Sequence, residues 1–277
     1  MTLAQALAHA ASLGLQRLDA QLLLLQALGR RGDERAWLIA HDADPLPAPQ
    51  AAAFEAMCRR RLAGEPVAYL VGHKEFFGLD LQVDARVLVP RPDTETLVEW
   101  ALEVLQSQLP AHPHPAVADL GTGSGAIALA LKRHCPHAQL LAIDQSAQAL
   151  DVARANGQRL GLTVDWRQGH WLDGAPRGLA LIATNPPYIA QDDPHLAALT
   201  HEPRSALAAG ADGLDDIRQI VAQARSHLAP GGWLMIEHGW DQAAPVRALL
   251  AAAGFTQVKS RTDLAGIERC SGGQWPG

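Results

Sequence analysis

The stretch "ALIATNPPYIAQDD" (180–193) holds the residues best suited to chemistry. An apolar run ends in Asn185-Pro186-Pro187-Tyr188, which gives a strand an abrupt and rigid terminus. The prolines alone would make a turn, because each fixes φ and removes a ladder donor. A turn has no need of a polar amide and an aromatic ring. Together these residues suit a planar –NH₂ target. An amide nitrogen is a poor nucleophile because its lone pair is delocalised into the carbonyl. Alkylating it requires that the nitrogen be oriented and its developing charge stabilised. The side-chain oxygen of Asn185 can accept one N–H, and the backbone carbonyl of Pro186 the other. Pro186 and Pro187 stiffen the loop, so little reorganisation accompanies reaction. Tyr188 can lay its ring on a planar group. The motif contains no strong general base, which suits a product that sheds its proton readily once alkylated. Adenine N6, cytosine N4 and a glutamine side chain all present such a group, and the motif leaves the three open.

A second constellation lies upstream in "ADLGTGSGAIALAL". Gly121, Gly123 and Gly125 let the backbone turn sharply and approach a ligand where a Cβ would clash. The helix that follows offers its amino end to a negative group. Asp144 closes the run "LLAID" about 20 residues on, where a carboxylate can accept bonds from ribose hydroxyls. Nucleotide-type binding follows. Gly121, Gly123 and Ala126 also satisfy GxGxxA, so this loop by itself leaves a dinucleotide open.

These residues need a scaffold that brings them to one edge. The runs "AVADL", "QLLAID", "LALIAT", "GGWLMIE" and "GFTQVKS" alternate with helical stretches around 126–134, 146–160, 214–229 and 241–253. Such alternation predicts an α/β fold with a largely parallel sheet wrapped on both faces, and ligands beyond the carboxyl ends of its strands. Residues 1–66 read instead as a helical bundle: Leu18, Leu22, Leu25 and Leu28 keep helical spacing, and "DADPLPAPQ" (42–50) breaks it. From Val67 the pattern becomes strand-like, so 67–90 is expected to be a β-hairpin linker with its glycine in "EFFGLDLQV" at the turn. The region 91–277 is then the catalytic domain; Arg91, Asp93 and Glu95 suit either the cofactor or substrate entrance or a Pro-punctuated helix start with Asp93 as N-cap. "CRRRL" (58–62) reads as a solvated helix face, and Trp233 and Trp240 as core and rim.

Bulk properties narrow the class. The chain has 277 residues, 48% of them hydrophobic, so a sizeable core is expected and wholesale disorder is not. A net charge of −6 argues against a non-specific phosphate-backbone binder. Cys58, Cys135 and Cys270 are scattered, as reduced cytosolic thiols would be, and the twelve histidines form no HExxH. "LLLL" (22–25) is bounded by glutamines and the N-terminus lacks a basic n-region, so neither a signal peptide nor a membrane span is expected.

Over essentially its whole length the chain resembles the release factor glutamine methyltransferases, the HemK/PrmC family. The resemblance is carried by "VLVPRPDTETLVEWAL" (87–102), "DLGTGSGAIALALK" (119–132), "AIDQSAQALDVARANGQRLG" (142–161) and "NPPYI" (185–189). It continues through "HEPRSALAAGADGLD" (201–215), "LAPGGWLMIEHGWDQ" (228–242) and "DLAGIER" (263–269). NPPY is shared by many methyltransferases. PRPDTE well before it, with EPxxAL and ExGxxQ after, is far more specific, and the relative acting on a ribosomal-protein glutamine usually departs at PRPDTE.

The resemblance implies a class I fold: a seven-stranded, mostly parallel Rossmann-like sheet with one antiparallel strand, behind a helical domain that helps to dock the substrate. It implies S-adenosyl-L-methionine as methyl donor, with S-adenosyl-L-homocysteine as product. The implied donor contacts are Gly121, Thr122, Gly123, Ser124, Gly125, Asp144, Trp171 and Asn185. Asn185, Pro186, Pro187 and Tyr188 would hold the substrate amide, with Asn185, Pro186 and Tyr188 catalytic. The implied substrate is the glutamine in the GGQ loop of bacterial class I release factors, methylated at N5, by a monomeric cytoplasmic enzyme that does not bind nucleic acid directly. The alternatives are a ribosomal-protein glutamine and adenine or cytosine in nucleic acid. Two positions depart from the family: His170 stands where an acid is common, and Ala180 where Asp is common. Gly272-Gly273-Gln274 repeats the substrate tripeptide on what reads as a loose tail, by coincidence.

Overall fold

The computed structural model describes residues 1–107 and 113–277. The chain forms two compact units, one of Met1–His73 with Ala198–His201 and one of Lys74–Ala197 with Glu202–Gly277.

The first unit is helical: α1 (Leu3–Ser12), α2 (Arg17–Ala27), α3 (Arg35–Ala40), α4 (Ala48–Leu62) and α5 (Val67–Val71). Thr2 and Gln5 close a capping box at the start of α1. Leu3, Leu23, Leu24, Leu25, Leu38 and Phe54 make its core. Helix α5 corrects the strand-like reading of Val67 onward. An apolar run of five residues has no period that separates strand from helix. Pro66 starts it, Gly72 ends it at φ 80°, and Leu70 joins the helical core. Of the basic run in α4, Arg60 pairs with Glu65 and Arg61 with Asp19.

The second unit opens with the hairpin β1 (His73–Phe76) and β2 (Leu79–Gln82), turning at Gly78 as expected. Then come α6 (Glu95–Ser107), β3 (Ala116–Leu120), α7 (Ala126–His134), β4 (Gln139–Asp144), α8 (Ala147–Leu160), β5 (Asp165–Gln168) and β6 (Leu179–Thr184). The chain continues through α9 (Asp215–His227), β7 (Leu228–Glu237), α10 (Ala243–Ala252), β8 (Thr256–Thr262) and β9 (Glu268–Gln274). The seven-stranded sheet has the order β5-β4-β3-β6-β7-β9-β8, with β9 antiparallel to both neighbours. Side chains alternate between its faces. Val117, Ala142, Ala183 and Met235 join one apolar layer; Ala118, Ile143, Ile182 and Ile236 join the other. Strands are added outward from β3 in one direction through β4 and β5 and then in the other from parallel β6, which makes the carboxyl ends of β3 and β6 the switch point.

Two strands differ from the sequence expectation. β5 is an edge strand with little buried surface, so it lacks an apolar run. β9 contains Gly272-Gly273-Gln274, which is therefore no loose tail. A Cβ on Gly272 would come 2.6 Å from the Leu234 carbonyl and 2.9 Å from the Trp100 ring. Glycine here lets Trp100 lie flush on the strand, and strands are usually poor in glycine. Gln274 is also engaged, donating to the Gly231 carbonyl at 3.0 Å. Asp93 does not cap a helix either. Pro92–Thr94 form a 3₁₀ turn that leads into α6, and the Asp93 carboxylate lies 3.2 Å from Arg269.

Candidate active site

The glycine loop leaves β3 and folds over the end of β4. Gly121 has φ 69° and Gly125 φ 84°, conformations that side-chain-bearing residues avoid. A Cβ on Gly121 would sit 3.3 Å from the Trp171 ring, at the mouth of a cavity of about 240 Å³. Gly121, Gly123, Asp144, His170, Trp171, Asn185 and Pro187 all line that cavity. Asp144 accepts Gly123 N–H at 2.9 Å on one oxygen and Ser146 N–H at 2.8 Å on the other. Each oxygen keeps a further lone pair for a ligand hydroxyl. Burial raises the Asp144 pKa, while these two backbone donors work against the shift.

Thr122, Ser124 and Gly125 face inward and do not line the cavity. Thr122 Oγ1 donates to Asp119 Oδ2 at 2.6 Å, and Ala128 N–H donates to the same oxygen at 3.1 Å. Asp119 is fully buried, its other oxygen has no partner, and burial pushes its pKa up to about 7. The sequence reading passed over this residue, although an acid immediately before a glycine loop was visible in "ADLGTG". Its two hydrogen bonds brace the loop against the start of α7.

Asn185 follows β6, whose last residue, Thr184, donates to the Leu120 carbonyl at 2.8 Å. That bond ties the root of NPPY to the root of the glycine loop. Pro186 and Pro187 are buried. Asn185 Nδ2 donates to Thr94 Oγ1 at 3.2 Å, away from the cavity. Behind Thr94 lies Glu237, the last residue of β7, at 2% exposure. Burial pushes the Glu237 carboxyl up to about 7, with the nearby polar groups of Thr94 and Asn185 working against the rise. Tyr188 faces the same cluster, and burial raises its pKa, with the Glu237 charge adding to the effect. The ring is therefore a neutral apolar surface with a proton on its hydroxyl.

The other motifs meet around this loop. Glu202 is 7% exposed; it accepts Val89 N–H at 3.0 Å and pairs with Arg91. Gln242 Nε2 donates to the Tyr188 carbonyl at 3.0 Å, and its oxygen accepts Gly239 N–H at 2.9 Å. Gly213 passes so close that a Cβ there would stand 2.2 Å from the Tyr188 carbonyl oxygen. Segments far apart in sequence thus fix one rigid turn. Among departures from the family, His170 lies on the cavity wall with its Nδ1 3.2 Å from Gln219 Nε2, and Ala180 is buried within β6. Trp233 is core and Trp240 is 71% exposed.

Among the described residues, no group of three or more metal-ligating side chains converges, and no helix is long and apolar enough to cross a membrane. This edge of the sheet can hold a nucleoside on one side of Asn185 and has a rigid amide-bearing turn on the other. Enzymes that unite those two features on a seven-stranded sheet of this order are class I methyltransferases. Two family descriptions match the chain: the PrmC N-terminal domain over residues 2–72 and the methyltransferase small domain over residues 95–210. A release factor glutamine methyltransferase of Bordetella pertussis is 51% identical over 94% of this chain and 95% of its own length. One from Pseudomonas aeruginosa is 48% identical over 94% and 92%. Among solved structures, a methyltransferase from Pyrococcus furiosus shares the fold with a TM-score of 0.54 at 18% identity, over 80% of this chain and 99% of that one. The chain belongs to the release factor glutamine methyltransferase family and is an enzyme of methyl transfer.

Proposed function

We propose that the enzyme methylates the side-chain nitrogen, N5, of the glutamine in the GGQ motif of bacterial class I release factors, with S-adenosyl-L-methionine as donor. The observation that carries this reading is Asn185. Its amide nitrogen is occupied at the rear by Thr94, which leaves its oxygen for the substrate beside the cavity. A planar –NH₂ placed there donates one hydrogen to Asn185 Oδ1 and the other to the Pro186 carbonyl. Both acceptors sit in a turn that cannot relax, so the nitrogen is oriented before reaction. Tyr188 supports the plane of the substrate amide.

The residues on the cavity wall fit the donor. Gly121 leaves room that a Cβ would fill, Trp171 forms a flat wall, and Asp144 presents carboxylate oxygens suited to ribose hydroxyls. When bound, S-adenosyl-L-methionine supplies an activated methyl group. We assign Gly121 to Gly125, Asp144, Trp171 and Asn185 to its site, with Thr122 and Ser124 acting through the loop's conformation. The helical unit, residues 1–66 of the expected division, is assigned to docking of the release factor; 67–90 link it to the catalytic domain, 91–277.

The test is transfer of labelled methyl from S-adenosyl-L-methionine to a purified release factor, beside a version whose GGQ glutamine is alanine. Label on the first alone is expected. Label on both would move the site elsewhere on the factor. Label on neither, with donor still bound, would overturn the substrate assignment in favour of a ribosomal-protein glutamine or a nucleic-acid base.

A further inference from the structure

Asn185 can act as an acceptor only if its amide stands one way round. The two ends of an amide are nearly the same size, so hydrogen bonds decide the orientation. Thr94 alone cannot decide it, because a hydroxyl donates or accepts with equal ease. The rear neighbour of Thr94 can. Glu237 is buried at the end of β7, its Oε2 makes no hydrogen bond, and its carboxyl has both Thr94 and Asn185 as neighbours. An ionised carboxylate only accepts. When ionised it would draw the Thr94 hydroxyl proton, leaving Thr94 to accept from Asn185 Nδ2, as it does at 3.2 Å, with Asn185 Oδ1 toward the cavity.

Resting on the amide-methylation reading above, the geometry points to Thr94 and Glu237 as positioning residues that lock the Asn185 amide with its oxygen toward the substrate. The chain runs from the end of β7 through the 3₁₀ turn of Pro92–Thr94 to the end of β6, so it joins three separate segments. Its charge balance comes from all of them. Asp93 lies on the turn, Tyr188 on the loop after β6, and Arg269 and Cys270 on β9, facing Glu237. A buried acid with one orphaned oxygen is a poor choice for stability, and a hydrogen-bonding role accounts for its presence there.

Glu237→Gln is the decisive variant. A glutamine amide can donate to Thr94, whose hydroxyl then donates to Asn185, and the Asn185 amide can turn over. Thr94→Val removes the middle of the chain at nearly equal volume. Each is expected to lower kcat about tenfold to a hundredfold, the scale on which slightly misplaced groups lose rate. Donor Kd by calorimetry is expected to stay within about twofold, since neither side chain lines the cavity. The double variant is expected to be no slower than the worse single one, because the residues act as one unit.

Stability separates this from a structural role. Burial holds the folded Glu237 pKa at about 7, above the value of 4.5 for a free carboxyl. Ionising it thus opposes folding, and stability falls as pH rises from 4.5 toward about 7. Glu237→Gln escapes this loss and is expected to melt no lower than the wild type at pH 8. A slow variant that also melts well below wild type, or binds donor poorly, would mark Glu237 as structural and overturn the proposal. So would an unchanged kcat. Should the wild type fail on release factors, the substrate reading falls and the positioning is read directly. The Asn185 side-chain ¹H–¹⁵N pair, assigned by its loss in Asn185→Ser, is expected to titrate near neutral pH in wild type and not in Glu237→Gln. A pair indifferent to both would overturn it.

Discussion

On the cavity side of Asn185 the walls come from Gly121, Gly123, Asp144 and residues 169–171, joined by residues of 85–88 and 203–206. On its far side stand side chains carried in from positions 94, 237 and 269. The first wall is a receptor, half open, with carboxylate oxygens that keep spare lone pairs. The second is a brace built around buried Glu237, with Arg269 and Asp93 at its partly exposed edge. A small, flexible donor can be held by contour and a few hydrogen bonds. Orienting a weakly nucleophilic nitrogen requires an acceptor that does not move, and that takes support from several directions.

Substitutions on the two sides should therefore fail in different ways. The largest effect falls on the residue they share. Asn185→Ala is expected to cut kcat by a factor on the order of 10²–10³ while the circular dichroism spectrum is unchanged. A rate near wild type would remove the amide-acceptor role. Next in size is Gly272→Ala, behind the brace. Its Cβ would press on the Leu234 carbonyl at 2.6 Å, and overpacking of a tight core costs about 1–3 kcal/mol. A melting temperature several degrees lower, with donor Kd unchanged, would agree with the buried position of β9.

On the open side, Gly121→Ala forces an L-residue into φ 69° against Trp171, a conformational cost of about 1–2 kcal/mol. Donor Kd by calorimetry is expected to rise about tenfold, with kcat at saturating donor little altered. A fall in kcat at unchanged Kd would blur the division between receptor and brace. The smallest effect falls in the helical unit. Arg31 and Asp33 are paired at 2.9 Å with side chains 82% and 64% exposed. Asp33→Ala should leave the denaturation midpoint and the rate within error, because exposed pairs contribute little.

The glycine cradle and its acid were legible in the sequence because their spacing is local. Glycines, a helix start and an acid about 20 residues on form a pattern that backbone geometry imposes on any chain making this cradle. NPPY could be read for the same reason: its rigidity and its amide are written in four adjacent residues. The brace was not legible. Thr94 reads as a helix-start residue, Glu237 as the polar end of an apolar strand, and Asp119 as a strand terminus. Only pairing of β6 with β7 sets Glu237 beside Asn185, and only the packing of the Pro92–Thr94 turn brings Thr94 to it. Local sequence fits Asp93 equally to an N-cap and to a site entrance, because its partner Arg269 lies at the far end of the chain.

The elements show the same boundary. Periodicity located α7, α8, α9 and α10 and the strands β3, β4, β6 and β7 almost to the residue, because each buries an apolar face whose spacing is fixed by its own geometry. It missed β5, which buries almost nothing, and β9, where Gly272 leaves room for the Trp100 ring. It made a strand of α5, whose five apolar residues fit either form until Leu70 found a helical core. The sequence alone therefore determined the chemistry that adjacent residues can do. The tertiary structure decided which way the Asn185 amide faces, since that depends on long-range neighbours whose hydrogen-bonding roles no local pattern encodes.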